Sequence, residues 1–163
     1  DSDGDVDTLY FPVSTAYRPI SEGGSGISSI TDPGSSWMYK ACLDPTDPGD
    51  FTWVEFYDPV DDGGLTARPE VYYSATTSWH SDGSLGIYWG TGTPYKRTSS
   101  NKGYFFAVKD SSPSSCTSFT ATPITDCGAN GVYPLRIGEG LTSDPTAYAG
   151  VVYFRKWTHA ANR

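Results

Sequence analysis

Residues 69–91 read PEVYYSATTSWHSDGSLGIYWGT and contain two runs of aromatic, apolar and β-branched residues on either side of a short polar segment. That segment centres on Asp82 and Gly83, a pair that accepts positive φ angles at low cost. Two such runs separated by so short a loop are typical of a β-hairpin. The stretch therefore predicts two antiparallel strands joined between His80 and Ser84.

The same pattern recurs along the rest of the chain, where each apolar run is too short or too β-branched for a helix. Together with the hairpin strands 69–79 and 85–91, strands are expected at 8–14, 37–43, 51–57, 103–109, 132–137 and 147–158. Segments rich in Gly, Pro, Ser and Asp lie between them, and these are expected to be loops: 21–36, 44–50, 58–64 and 111–115. The sequence therefore predicts an all-β fold.

The composition agrees with many short strands, since 18 Gly and 12 Pro accompany 15% aromatic residues and only 18% charged residues. A length of 163 residues without an internal linker predicts one domain over 1–163. The net charge of -8 argues against a nucleic-acid partner, because phosphate binding needs clustered cations. We also expect no membrane-spanning segment, because no apolar run approaches the roughly 18 residues that a spanning helix needs.

Four carboxylates alternate at the start of the chain, at Asp1, Asp3, Asp5 and Asp7, and Gly4 allows the backbone to curl between them. Calcium takes about six to eight oxygen ligands, and alternate side chains of a tight loop can converge to supply several of them. The segment therefore predicts a calcium site. The other interpretation is a solvated acidic terminus.

The segment departs from an EF-hand loop at the positions where that loop needs Gly and a closing Glu, which are Val6 and Pro12 here. A compact calcium loop on a β scaffold is therefore expected instead. The acidic segments 44–50 and 58–64 could supply a second cation site, but their Pro and Gly residues favour plain turns.

Three cysteines, Cys42, Cys116 and Cys127, have none of the CxxC spacing of zinc or redox sites. Cys116 and Cys127 enclose a short Ser/Thr-rich loop and are predicted to form a disulfide, which indicates a secreted protein. Cys42 is then left as a buried thiol or as an intermolecular thiol.

Catalysis is not expected, because the two imidazoles, His80 and His159, have no recognisable nucleophile beside them. The carboxylates Glu55, Glu70 and Glu139 have no spacing that selects a catalytic pair.

Aromatic residues could form a sugar-binding platform, although most are expected in the core. Burial is predicted for Trp37, Trp53, Trp89 and Trp157, each of which lies within an apolar strand. Trp79, at the tip of the hairpin, is the candidate for exposure.

Several stretches resemble the C-terminal β-propeller of PilY-type proteins of type IV pilus biogenesis. Asp1–Tyr10 is similar to that family's acidic calcium loop and aromatic strand, although the Gly-rich turn that normally follows is absent. Leu85–Tyr95 and Lys102–Asp110 are similar to its Phe-Gly-Thr-Gly strand and the next aromatic strand. Leu135–Pro145 and Ala149–Phe154 resemble the following blade.

The resemblance implies a partial β-propeller of antiparallel four-stranded units, a fragment of a larger propeller; a β-sandwich is the alternative fold. It also implies a calcium-binding protein of the cell surface, acting in type IV pilus assembly or adhesion with other pilus or filament chains as partners, copies of itself among them. Two alternatives remain open, a β-rich subunit of an extracellular filament or matrix and a carbohydrate-binding module.

Overall fold

The computed structural model describes residues 8–15, 35–44, 47–66, 69–92, 102–115 and 120–159. These residues form twelve strands and two three-residue 3₁₀ helices, Thr125–Cys127 and Ala129–Gly131. The strands are β1 (Thr8–Thr15), β2 (Ser35–Asp44), β3 (Asp47–Tyr57), β4 (Thr76–Trp79), β5 (Leu85–Gly90), β6 (Lys102–Asp110), β7 (Ala121–Pro123), β8 (Val132–Ile137), β9 (Glu139–Leu141), β10 (Thr146–Tyr148), β11 (Val151–Tyr153) and β12 (Lys156–Thr158). The predicted all-β fold is confirmed. No helix in the described ranges is long and apolar enough to cross a membrane.

The strands form three sheets. β1, β2 and β3 make an antiparallel three-stranded sheet, and β10 pairs with β11 alone. The third sheet has seven strands, ordered β12-β9-β6-β5-β4, with β7 and β8 also paired to β6. These sheets differ from the expected four-stranded units, and the described strands do not close into a propeller.

The long strand β6 explains why the main sheet does not divide into four-stranded units. One edge of β6 pairs with β5, whereas β7 pairs with its C-terminal end and β8 with its N-terminal half. A single parallel contact, Lys102 with Glu139, adds β9. Successive short strands therefore share one long partner.

The hairpin predicted at 80–84 is confirmed. Trp79 pairs with Leu85, and the backbone N–H of His80 donates to the carbonyl of Ser84 at 2.9 Å. Gly83 has a φ of 80°, which is the conformation that the Asp-Gly pair was expected to supply.

Two predicted strands are shorter or more divided than expected. Only residues 76–79 of the predicted strand 69–79 are in β4, and the run 147–158 is divided among β10, β11 and β12. β2 and β3 extend instead into the predicted loop 44–50, while β7 and β9 lie where no strand was predicted.

The two faces of the main sheet bury different clusters, because side chains alternate along β5 and β6. One face packs against the three-stranded sheet and contains Met38, Phe56, Tyr57, Val71, Ile87, Trp89, Phe106, Val108 and Val132. The opposite face buries Tyr88, Phe105, Ala107, Leu135 and Leu141. Trp89 and Phe106 stack at the centre of the first cluster, with ring centroids 4.9 Å apart.

Candidate functional site

The predicted calcium ligands, Asp1, Asp3, Asp5 and Asp7, lie outside the described residues. Among the residues that the structure does describe, no group of three or more His, Cys, Asp or Glu side chains could hold a metal ion. The calcium site therefore stays a prediction. What the structure does define is the place where the acidic segment joins the fold.

That place is Thr8, the first residue of β1, which is covalently bonded to Asp7. Thr8 pairs with Cys42 of β2, and its hydroxyl donates to the carbonyl of Pro113 at 2.9 Å. These contacts hold the start of β1 between β2 and the segment that follows β6. We call this region, formed by Thr8, Tyr10, Lys40, Asp110 and Ser112–Ser115, the Thr8 corner.

A buried ion pair lies in the Thr8 corner. The Nζ atom of Lys40 is 2.7 Å from Oδ2 of Asp110, and the two side chains are 0% and 2% exposed. Lys40 also donates to the carbonyl oxygens of Ser112 at 3.0 Å and Ser115 at 2.9 Å. The Lys40 ammonium on β2 of the three-stranded sheet thus binds the C-terminal end of β6 in the seven-stranded sheet.

Both oxygens of Asp110 accept further hydrogen bonds. The Tyr10 hydroxyl donates to Oδ2 at 2.6 Å, and the Ser112 backbone N–H donates to Oδ1 at 2.8 Å. Burial raises the pKa of Tyr10 above its ordinary value, and the hydrogen bond to Asp110 raises it further. Tyr10 is therefore a neutral donor at physiological pH.

Cys42 belongs to the same corner and is disulfide-bonded. Its sulfur lies 3.8 Å from the carbonyl oxygen of Ser115. This corrects the prediction of Cys42 as a leftover or intermolecular thiol, because the bond is made within one chain whose other cysteines are Cys116 and Cys127. The predicted Cys116–Cys127 bridge involves side chains that lie outside the described residues.

The opposite side of the three-stranded sheet presents an aromatic surface. Leu9 and Phe11 of β1 point away from the core, next to Tyr39 of β2 and Trp53 and Glu55 of β3. We call these five residues the outer face. The rings of Phe11 and Tyr39 are stacked at 5.9 Å, and Trp53 meets Tyr39 edge-on at 5.3 Å.

Trp53 is 56% exposed, so the prediction that it is buried is wrong. It lies on an edge strand and on the side of that strand opposite to buried Phe56, which a run of apolar residues does not reveal. The predictions for Trp89 and Trp157 are confirmed, since both are buried. Trp37 is partly buried, and Trp79 is exposed at the hairpin tip.

The acidic segment 58–64 forms a plain turn, as its Pro and Gly residues indicate. An Asp58 carboxylate oxygen accepts from the Val60 N–H at 2.8 Å, and Asp62 accepts from the Asp58 N–H at the same distance. These carboxylates stabilise the turn through its own backbone.

The other candidate residues contact separate partners. Glu139 accepts from Lys156 Nζ at 2.7 Å and from the Arg136 N–H at 3.0 Å, whereas Glu70 accepts from the Tyr72 hydroxyl. His80 lies on the hairpin, with Nε2 2.9 Å from the Tyr88 hydroxyl.

The Thr8 corner was not predicted from the sequence. Met38, Lys40 and Cys42 alternate along β2 and so face the same side, which was the available signal that Lys40 points inward. Its partner lies 70 residues away, and only the topology brings the two together.

No family model, no curated protein and no solved structure matches this chain. The resemblance to PilY-type proteins therefore stays a prediction that rests on the residues quoted above.

Proposed function

We propose that the chain is a calcium-binding surface protein that acts in adhesion or type IV pilus assembly, with the outer face as its partner-binding surface. The observation that carries this proposal is the position of β1. This strand follows directly on Asp7, and it also contributes Leu9 and Phe11 to the outer face. Calcium held by the acidic segment would therefore act on the strand that presents the binding surface.

The composition of the outer face supports a role in binding. Leu9 is 46% exposed and Phe11 37%, beside the still more exposed Trp53. A contiguous group of exposed aromatic and apolar side chains is typical of an interaction surface, and Trp and Tyr are enriched where partners contact one another. We propose other pilus or filament chains as the partners, including further copies of this chain.

Calcium would act by lowering the free energy of one conformation of the acidic segment. Four carboxylates on alternate residues repel one another, and a cation that binds them only when the segment is curled stabilises that state by mass action. The contacts of Thr8 with Cys42 and Pro113 would transmit this order to β1. The bound ion would thereby fix one conformation of the outer face.

The larger architecture proposed is a propeller to which this chain contributes one part. β4 and β12 are the edges of the seven-stranded sheet among the described strands. An unpaired edge can accept a strand from another polypeptide. Strands outside this sequence would then complete the blades.

The partner-binding surface can be tested with purified type IV pili immobilised on a sensor chip, in the presence of calcium chloride. Trp53→Ala is expected to weaken binding by about tenfold or more, because exposed Trp residues at interface centres often contribute strongly. Trp79→Ala is the matched control, since Trp79 is exposed on the hairpin, outside the outer face. Equal binding by both variants and the unmodified protein would contradict the proposal.

Carbohydrate binding is the second candidate function, and the outer face favours it. Phe11, Tyr39 and Trp53 offer apolar ring surface, and Glu55 lies in the same cross-strand row as Tyr39 and Phe11, where it could accept from sugar hydroxyls. A glycan array distinguishes this candidate: binding to a defined glycan that Trp53→Ala abolishes supports it, and an array without any bound glycan contradicts it.

A further inference from the structure

We propose that Lys40 and Asp110 are the site of a self-formed intramolecular amide bond, joining β2 of the three-stranded sheet to the last residue of β6. The amine and the carboxyl group that would condense are already in contact. Nζ lies 2.7 Å from Oδ2, and neither side chain is accessible to water. This inference is independent of calcium and of the outer face.

Condensation requires a neutral amine and a neutral carboxylic acid. The proton transfer that forms them spans the single hydrogen bond of 2.7 Å between Nζ and Oδ2. Moving one proton from the Lys40 ammonium to Oδ2 converts the pair into a neutral amine and a neutral carboxylic acid. The amine is then the nucleophile that the reaction needs.

The hydrogen bonds of Lys40 orient that nucleophile. An ammonium group has three N–H donors, and here they point to Oδ2 of Asp110 and to the carbonyl oxygens of Ser112 and Ser115. When the proton directed at Asp110 leaves, the two carbonyl oxygens still hold the other two hydrogens. The lone pair of Nζ is then on the side of the amine that contacts Asp110.

The groups around Asp110 suit the rest of the reaction. Nζ bonds to Cγ, and negative charge develops on Oδ1, where the Ser112 N–H donates at 2.8 Å. A proton passes from Nζ to the Oδ2 hydroxyl, the Cγ–Oδ2 bond breaks, and Oδ2 leaves as water. The Tyr10 hydroxyl, 2.6 Å from Oδ2, donates a hydrogen bond to the departing oxygen. One C–N bond replaces one C–O bond, and no oxidant or cofactor takes part.

The pair of Lys156 and Glu139 provides an internal comparison. Its N–O distance is also 2.7 Å and the Glu139 side chain is only 5% exposed, but the Lys156 side chain is 45% exposed. Water therefore reaches that amino group. This pair is expected to remain an ion pair, so proximity alone does not define the proposed site.

Intact mass spectrometry of the folded, purified chain tests the proposal after disulfide reduction and denaturation. We expect a mass about 18 Da below that of the sequence, the loss of one water molecule. Peptide mapping should then identify a branched peptide containing Lys40 and Asp110. A full sequence mass, or a water loss located at other residues, would overturn the proposal.

Two variants provide controls. Lys40→Arg keeps the positive charge but replaces the amine by a poorly nucleophilic guanidinium, so the full sequence mass is expected. Lys156→Arg alters the pair with Glu139 and is expected to retain the loss of about 18 Da. A water loss that persists in Lys40→Arg would exclude Lys40 as the nucleophile and would overturn the proposal.

Discussion

At the scale of single residues, the contact of Lys40 with Asp110 joins the two larger sheets. The carboxylate accepts from Lys40, Tyr10 and the Ser112 N–H, so that both charged groups are hydrogen-bonded inside the protein. A buried charge that loses its partner keeps its desolvation cost without the compensating attraction. Removing either Lys40 or Asp110 is therefore expected to destabilise the fold, because the other group keeps a buried charge without a partner.

Lys40→Met is expected to lower the free energy of unfolding by about 3–5 kcal/mol, because the variant can form neither the ion pair nor the proposed amide and leaves the Asp110 carboxylate in the interior without a cation. Chemical denaturation measures this change. Lys109→Met is the matched control, since Lys109 bonds Asp82 at the surface, where the two side chains are 29% and 56% exposed. Equal stability losses in the two variants would contradict the structural role of the buried pair.

Glu139 makes stability depend on pH. The Lys156 ammonium and the Arg136 N–H hold the pKa of this carboxyl below its ordinary value of 4.5, although burial opposes them. A carboxyl whose pKa is lower in the folded state stabilises the fold above the unfolded pKa. That stabilisation is lost as the pH falls below about 4.5.

We therefore expect the free energy of unfolding to fall less steeply between pH 4.5 and lower values in Glu139→Gln than in the unmodified protein. Denaturant titrations at a series of pH values measure the slope. At pH 6 to 8, the two proteins should show the same slope. Identical slopes in the acidic range would refute this role of Glu139.

At the scale of elements, the long apolar runs predicted the central strands well, because β5 and β6 are buried on both faces and contain few polar residues. The prediction of a single strand over 147–158 was wrong for a local reason. Ala149 and Gly150 both adopt positive φ angles, 50° and 76°, and turn the chain between β10 and β11. Alanine rarely adopts this conformation, so the sequence lacked the usual turn signal.

The outer face was also only partly predictable. Aromatic content indicated a possible sugar or protein platform, but the choice of exposed residues depends on which strand lies at an edge and which side faces the core. Trp53 and Trp89 occupy similar apolar runs, yet the first is exposed on β3 and the second is buried on β5. The order of the strands in each sheet decides which of the two Trp residues is buried. A single sequence does not reveal that order.

The turn between β10 and β11 gives a test of local strain. Ala149→Gly is expected to raise the free energy of unfolding by about 0.5–1 kcal/mol, because glycine adopts positive φ without a steric cost. Gly150→Ala should have the opposite effect, since it places a Cβ at a φ of 76°. Thermal unfolding of both variants measures the pair of changes, and a stabilised Gly150→Ala would refute the turn geometry.

The disulfide of Cys42 connects elements that are distant in sequence. Its sulfur lies beside the Ser115 carbonyl, and Cys116 is the next residue. We expect non-reducing peptide mapping to recover Cys42 linked to Cys116, since a disulfide requires Cα atoms within about 7 Å of each other. A Cys116–Cys127 peptide would contradict this assignment.

At the scale of the whole molecule, the two larger sheets share one core, while the three-stranded sheet leaves its other side to solvent. The Thr8 corner fixes the start of β1 and joins that sheet to β6. The acidic segment enters at this corner, and the outer face begins one residue later. We propose that a cation links these features in a chain whose net charge is -8.

A calcium titration of the full chain by isothermal calorimetry, paired with melting curves in calcium chloride and in chelator, tests that claim most directly. We expect calcium-dependent heat and a higher melting temperature with calcium. We expect Asp3→Ala to lose most of both effects and Asp61→Ala to retain them, since Asp61 is an exposed carboxylate in the separate 58–64 turn. Equal melting curves with calcium and with chelator, together with no binding heat, would contradict it.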